Sequence, residues 1–227
     1  MSMLFLGKNL LKRLVSCGCA IFVAISLLYS VSISTRKRVS ITTTFYFLVK
    51  SDMHVAASVE LIQIQGGAGY LLNRNKNEYV VLSVHLNEDD AVVASLSVTN
   101  LEQDVVLLVE QVNALYFRFR DRGLIEIYCN ALNVFKEYMR VLENVITLLE
   151  DGETQERIKD FLTPIIKQLN MLTGVYRSSY KDFSNICNSI AKMLNDNIQG
   201  IVFVKDLRYT LCAMADGYLS LCKAFAV

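Results

Sequence analysis

A run of 22 residues without a charged side chain, Leu14 to Thr35, constrains this chain more than any other feature. Lys12 and Arg13 precede it, and Arg36, Lys37 and Arg38 follow. At about 1.5 Å of rise per residue the run makes a helix of roughly 33 Å, against a hydrocarbon core of about 30 Å. The pattern predicts an N-terminal transmembrane helix within residues 1–38, anchored by Leu14, Ile21, Phe22, Leu27, Leu28 and Ile33. A cleaved secretory signal has a shorter apolar region, about 7–15 residues, and a soluble core helix would repeat a polar face. The expectation is therefore an uncleaved, single-pass anchor in the cell membrane. Orientation stays open, because Lys8, Lys12 and Arg13 on one flank nearly balance Arg36, Lys37, Arg38 and Lys50 on the other.

A formal net charge of +1 provides no field to steer the chain to nucleic acid. A single proline in a chain of this length argues against long disordered linkers. None of the six cysteines forms a C-x-x-C pair, and neither histidine stands at ligand spacing, so no metal and no cofactor is expected. Cys129, Cys187, Cys212 and Cys222 lie on apolar stretches and read as buried free thiols.

Periodicity divides the remaining chain in two. Residues 42–117 alternate strands and short helices. Thr42 to Val49 is β-branched and aromatic, hence a strand. Val55, Ala56, Val59 and Ile62 follow at helical spacing, and Gly66-Gly67-Ala68-Gly69 ends that helix. Tyr70-Leu71-Leu72 and Tyr79 to Val84 read as strands around a polar turn at 73–77. Asn87, Glu88, Asp89 and Asp90 open a second helix, and Val105 to Val109 is a fourth strand. The order β-α-β-β-α-β is that of a ferredoxin-like α+β domain, with both helices on one side of an antiparallel sheet and the other face open as a binding surface.

Residues 124–227 read as three amphipathic helices. The first carries Tyr128, Leu132, Phe135, Met139, Leu142, Ile146 and Leu149 on one stripe. The second runs from near Glu153 to Leu194, with a kink or break expected at Pro164 and a weak point at Gly174. The third runs from Val204 to Phe225. Such stripes pack into an antiparallel bundle, or associate with a protein partner or a second copy.

No residue set has the spacing of a catalytic centre. His54 and His85 read as exposed residues beside a helix and a strand. The glycine run has no following Gly-Lys-Ser or Gly-Lys-Thr, and acids at 88–90 serve a helix N-terminus better than a metal. Tyr116 to Arg120 interleaves aromatic and basic residues, as an edge strand leading into a charged turn does. The chain is expected not to be an enzyme.

Three segments carry a family resemblance: Tyr46-Phe47-Leu48-Val49 with the following Ala56-Ala57 helix, Gly66 to Leu72, and Glu78 to Ala91. Over residues 44–112 the chain resembles the SPOR (sporulation-related repeat) domain family. The resemblance implies a body outside the cytoplasm and a sheet face that binds peptidoglycan glycan strands during division or sporulation. It places Phe45, Phe47, Tyr79, Val81 and Ser83 in the groove if the odd-numbered side faces outward, and the even-numbered side is the alternative. The alternative function is a membrane-tethered scaffold that binds a protein partner through its C-terminal helices, with the apolar sheet face covered by those helices.

Overall fold

A computed structural model describes residues 37–50, 55–74, 77–99, 105–117 and 123–224. The chain divides into two units, residues 1–39 with 116–125, and residues 40–115 with 126–227. The first contributes to the description only the start of one strand, the end of another and the start of a helix.

The elements are β1 (Lys37–Lys50), α1 (Val55–Ile64), β2 (Tyr70–Arg74), β3 (Asn77–His85), α2 (Glu88–Thr99), β4 (Val105–Phe117), α3 (Ile125–Glu150), α4 (Gln155–Tyr176), α5 (Lys181–Ile198) and α6 (Val204–Lys223). The protein is thus α+β among the described residues, with one four-stranded sheet in the order β2-β3-β1-β4. The β2–β3 pair is an antiparallel hairpin with Arg74 opposite Asn77. β1 runs antiparallel to β3, with a bulge at Leu48/Val49 that sets Phe47 opposite Val84 and Val49 opposite Val81.

The turn after α1 uses its glycines for space and for backbone hand. Gly66 and Gly69 have φ of 86° and 61°, the left-handed region that side chains disfavour. A Cβ at Gly67 would sit 2.5 Å from an Ile62 methyl, so glycine lets the turn close against the helix it ends.

The helical half differs from the expected three helices. The continuous stripe from Ile158 to Leu194 belongs to two helices, α4 and α5, joined at 177–180. The stripe keeps its 3–4 spacing through the turn, which is why periodicity hides it. Pro164 sits inside α4 on its exposed side and does not end it. The hairpin is closed by Ser184, whose Oγ donates to the Thr173 carbonyl at 2.8 Å. At the other end Gln155 bonds both the N–H and the carbonyl of Val202 (2.8 and 3.1 Å), tying the α5–α6 loop to the start of α4.

α1 and α2 pack on β3, and α6 packs on β3 and β2. The odd-numbered side of β1 meets α6. Tyr218 in α6 hydrogen-bonds Thr43 at 3.1 Å and sets its ring edge-on to Phe45 at 5.5 Å. Tyr70 meets Tyr209 edge-on at 5.2 Å. The sheet face expected to stay open is therefore closed by the last helix. Arg74 completes the closure. Its Nε donates to Glu110 at 2.8 Å and its Nη2 to Asp216 at 2.6 Å. Glu110 lies on β4 and Asp216 on α6, so one guanidinium ties the two outer strands of the sheet to the helix laid over it.

The expected single-pass architecture is corrected in one respect. The expected membrane span and the membrane location drawn from it are not what the structure shows: among the described residues no helix is long and apolar enough to cross a membrane. α3, α5 and α6 carry charged residues along their exposed sides, as a helix packed on one face does. The anchor residues Leu14, Ile21, Phe22, Leu27, Leu28 and Ile33 lie outside the described residues. Lys37 and Arg38, expected to flank a span, begin β1.

The closure gives a measurable stability increment. Tyr218→Phe keeps the ring and loses the hydroxyl's bonds to Thr43 and to the Cys222 thiol, while Thr43 keeps Lys136 as a donor at 3.2 Å, so urea denaturation should show a loss of about 1 kcal/mol. Tyr218→Ala also empties a buried site and should cost about 3–5 kcal/mol.

Candidate functional site

The five residues expected to line a groove do not form an accessible surface together. Phe45, Phe47 and Val81 are fully buried and Ser83 is 6% exposed. Tyr79 is half-buried near the start of β3. The apolar character that made the odd-numbered side of β1 look like a platform is what draws α6 onto it.

The other side of β1 borders an accessible cleft of about 590 Å³. Thr42, Thr44 and Tyr46 line it from β1, Asn87 and Glu88 from the start of α2, and Lys136, Arg140 and Glu143 from α3. The side chains converge because β1 alternates its faces and because Lys136, Arg140 and Glu143 stand one turn apart on one helical side. Lys136 Nζ donates to the Thr42 carbonyl at 3.2 Å, and its pKa is lowered by burial and by the neighbouring Arg140. Tyr46 Oη donates weakly to Glu88 at 3.4 Å. Two cations, two carboxylates, three hydroxyls and an amide around one aromatic ring suit a polar, uncharged ligand better than a single ion.

A second, smaller cavity of about 310 Å³ shares Glu143 with the cleft. Ser83 and His85 line it from β3, Asp90 from α2, Glu150 from α3 and Arg208 from α6. His85 Nε2 lies 2.9 Å from Ser83 Oγ and its Nδ1 lies 3.7 Å from Glu143 Oε1. A hydroxyl, an imidazole and a carboxylate in that order are the parts of an activated nucleophile. The geometry departs from one at two points. The 3.7 Å gap exceeds a hydrogen bond, and Glu143 instead accepts from the Leu86 N–H at 3.1 Å. Burial, helped by Arg208, holds the imidazole pKa down at about 4, against a weaker pull upward from Asp90. With a neutral imidazole the contact to Glu143 is not an ion pair. Arg208 is occupied as well, bonding Glu150 and donating to the Gly66 carbonyl at 2.9 Å.

Sequence reasoning placed His85 in an exposed position after a strand, whereas it ends β3 with its side chain mostly buried. Two of its neighbours, Glu143 and Arg208, come from α3 and α6, more than 50 residues away, and no local signal announces them. His54 lies outside the described residues, as do 118–122 of the aromatic-basic segment. Glu88 and Asp89 are exposed in the first turn of α2, and among the described residues no cluster of His, Cys, Asp and Glu has the arrangement of a metal site. Cys187 and Cys212 are fully buried, and burial raises both thiols, Cys187 to about 12.

No family model, no curated protein and no solved structure matches the chain.

The His85 environment predicts a pH dependence with a definite sign. The folded pKa lies below the unfolded value of about 6.5. Between these values the unfolded chain takes up a proton that the native imidazole refuses, so stability falls as pH falls from about 6.5 toward 4. The loss is on the order of 3 kcal/mol. Glu143 opposes it, because burial raises its pKa and a raised carboxyl favours the folded state at low pH. Urea midpoints measured across this range should fall for the wild type, and His85→Gln should flatten the fall.

Proposed function

We propose that this protein is a non-catalytic assembly factor that holds a protein partner on its helical half. The observation that carries the reading is an apolar stripe on the outer side of α4. Ile158, Leu162, Ile165, Leu169 and Leu172 are the buried side of that helix. Phe161, Pro164, Met171 and Val175 recur at spacings of three, seven and four on its other side, and all four are exposed. A helix that faced only its own core would carry polar residues there. The closed sheet supports the same reading, since it leaves the odd-numbered strand face no room for a ligand. The stripe suits an amphipathic partner helix laid along α4. One helix face gives a contact well below the ~800 Å² per partner of a stable complex, so the association is transient or is extended by neighbouring surface.

A second reading keeps glycan strands as the ligand but moves them. The cleft beside Thr42, Thr44 and Tyr46 offers hydroxyls, an amide and paired charges around an aromatic ring, which is the lining that a sugar needs and that the buried odd-numbered set lacks.

Two experiments separate the readings. A photo-crosslinking residue at Met171 should trap one defined protein in the native cell, and Phe161→Asp should abolish the product while Arg140→Ala leaves it. Absence of any specific product contradicts the assembly reading. Co-sedimentation with amidase-treated sacculi that is lost in Tyr46→Ala and Arg140→Ala, but kept in Phe161→Asp, would favour the glycan reading instead.

A further inference from the structure

We infer that β4 is a self-association edge, along which two copies of the chain pair antiparallel into one continuous sheet. The sheet has two outer strands, and they are built differently. β2 has only five residues. A strand that short is a poor template for another chain. β4 has 13 residues, and from Val105 to Leu115 it holds no proline, no glycine and no lysine. Among the described strands it has one neighbour, β1. Its single charge in that stretch, Glu110, is already held by Arg74. Val109, at 52% exposed, Gln111 and Asn113 form an exposed row on one face of the strand, and Val106 is 58% exposed. β2 is blunted by its shortness, a device that natural sheets use and that the 13-residue β4 lacks.

The sequence of β4 also says which partner and which direction fit. A two-fold axis at Gln111 sets Val109 opposite Asn113, Glu110 opposite Val112, Leu108 opposite Ala114 and Leu107 opposite Leu115 of the second copy. Leu107 and Leu108 then meet Leu115 and Ala114, and each Glu110 meets Val112 rather than its own copy. Parallel pairing in the same register would set the two Glu110 side chains side by side, and like charges there are destabilising. The antiparallel arrangement is also closed, since one edge of each copy is consumed and β2 is guarded, so association stops at two. This inference uses neither the α4 stripe nor the polar cleft and stands or falls separately from the function proposed above.

Sedimentation equilibrium of the full chain tests it. The wild type should fit a monomer–dimer equilibrium with no larger species. Gln111→Lys and Gln111→Glu each place like charges on the two-fold axis and should weaken the dimer at least about tenfold. An equimolar mixture of the two should recover it, because the charges then oppose. Gln111→Cys should give a disulfide-linked dimer on mild oxidation. A wild type that stays monomeric, a dimer indifferent to both charge variants, or a Gln111→Cys chain that does not cross-link overturns the inference.

Discussion

Phe45, Phe47 and Val81 put a block of apolar surface on one side of the sheet, and water does not tolerate such a surface uncovered. At about 25 cal/mol for each Å² of apolar area removed from water, a buried phenylalanine contributes roughly 2–3 kcal/mol. The chain meets that constraint internally. Tyr218 lies against Phe45 and Thr43, and Tyr70 and Arg74 bond Asp216, so α6 is fixed to the sheet by apolar contact and by directed polar bonds together. Because α6 is held in place by α5, and α5 by α4, the sheet and the helices belong to one unit rather than to two independent domains.

This arrangement separates two properties that a sequence reader tends to merge. The β-α-β-β-α-β order was legible, because each element carries its own local signal: β-branched runs for strands, Asn87 and the acids at 88–90 for the start of α2, glycines for the turn after α1. The fate of the sheet face was not legible. An alternating strand says which side chains share a face, but nothing in residues 44–84 says whether a ligand or another part of the same chain will cover it. The covering helix lies more than 100 residues later, and its apolar stripe is equally consistent with a free-standing bundle. The turn at 177–180 was hidden for a related reason, since the apolar spacing passes through it without interruption.

The polar sites were missed because they are assembled from distant segments. Lys136, Arg140 and Glu143 look like ordinary surface charges along α3 until β1 brings Thr42, Thr44 and Tyr46 beside them. His85 looks like a loop residue until Arg208 and Glu143 close over it. With the odd-numbered sheet face closed, the described surface still offers the cleft, the cavity beside His85, the outer side of α4 and the outer edge of β4.

The central claim is that α6 is docked on the sheet in the native state, and Cys212 reports on it directly. This thiol is fully buried on α6, and burial raises its pKa so that little thiolate forms. Native-state thiol labelling, followed by mass spectrometry of the peptide carrying Cys212, should show modification only through global unfolding, with a rate that rises in denaturant as the whole fold is lost. Labelling of Cys212 at the rate of an exposed thiol, while the strand and helix signals stay intact, would mean that the helix does not cover the sheet and would contradict the account.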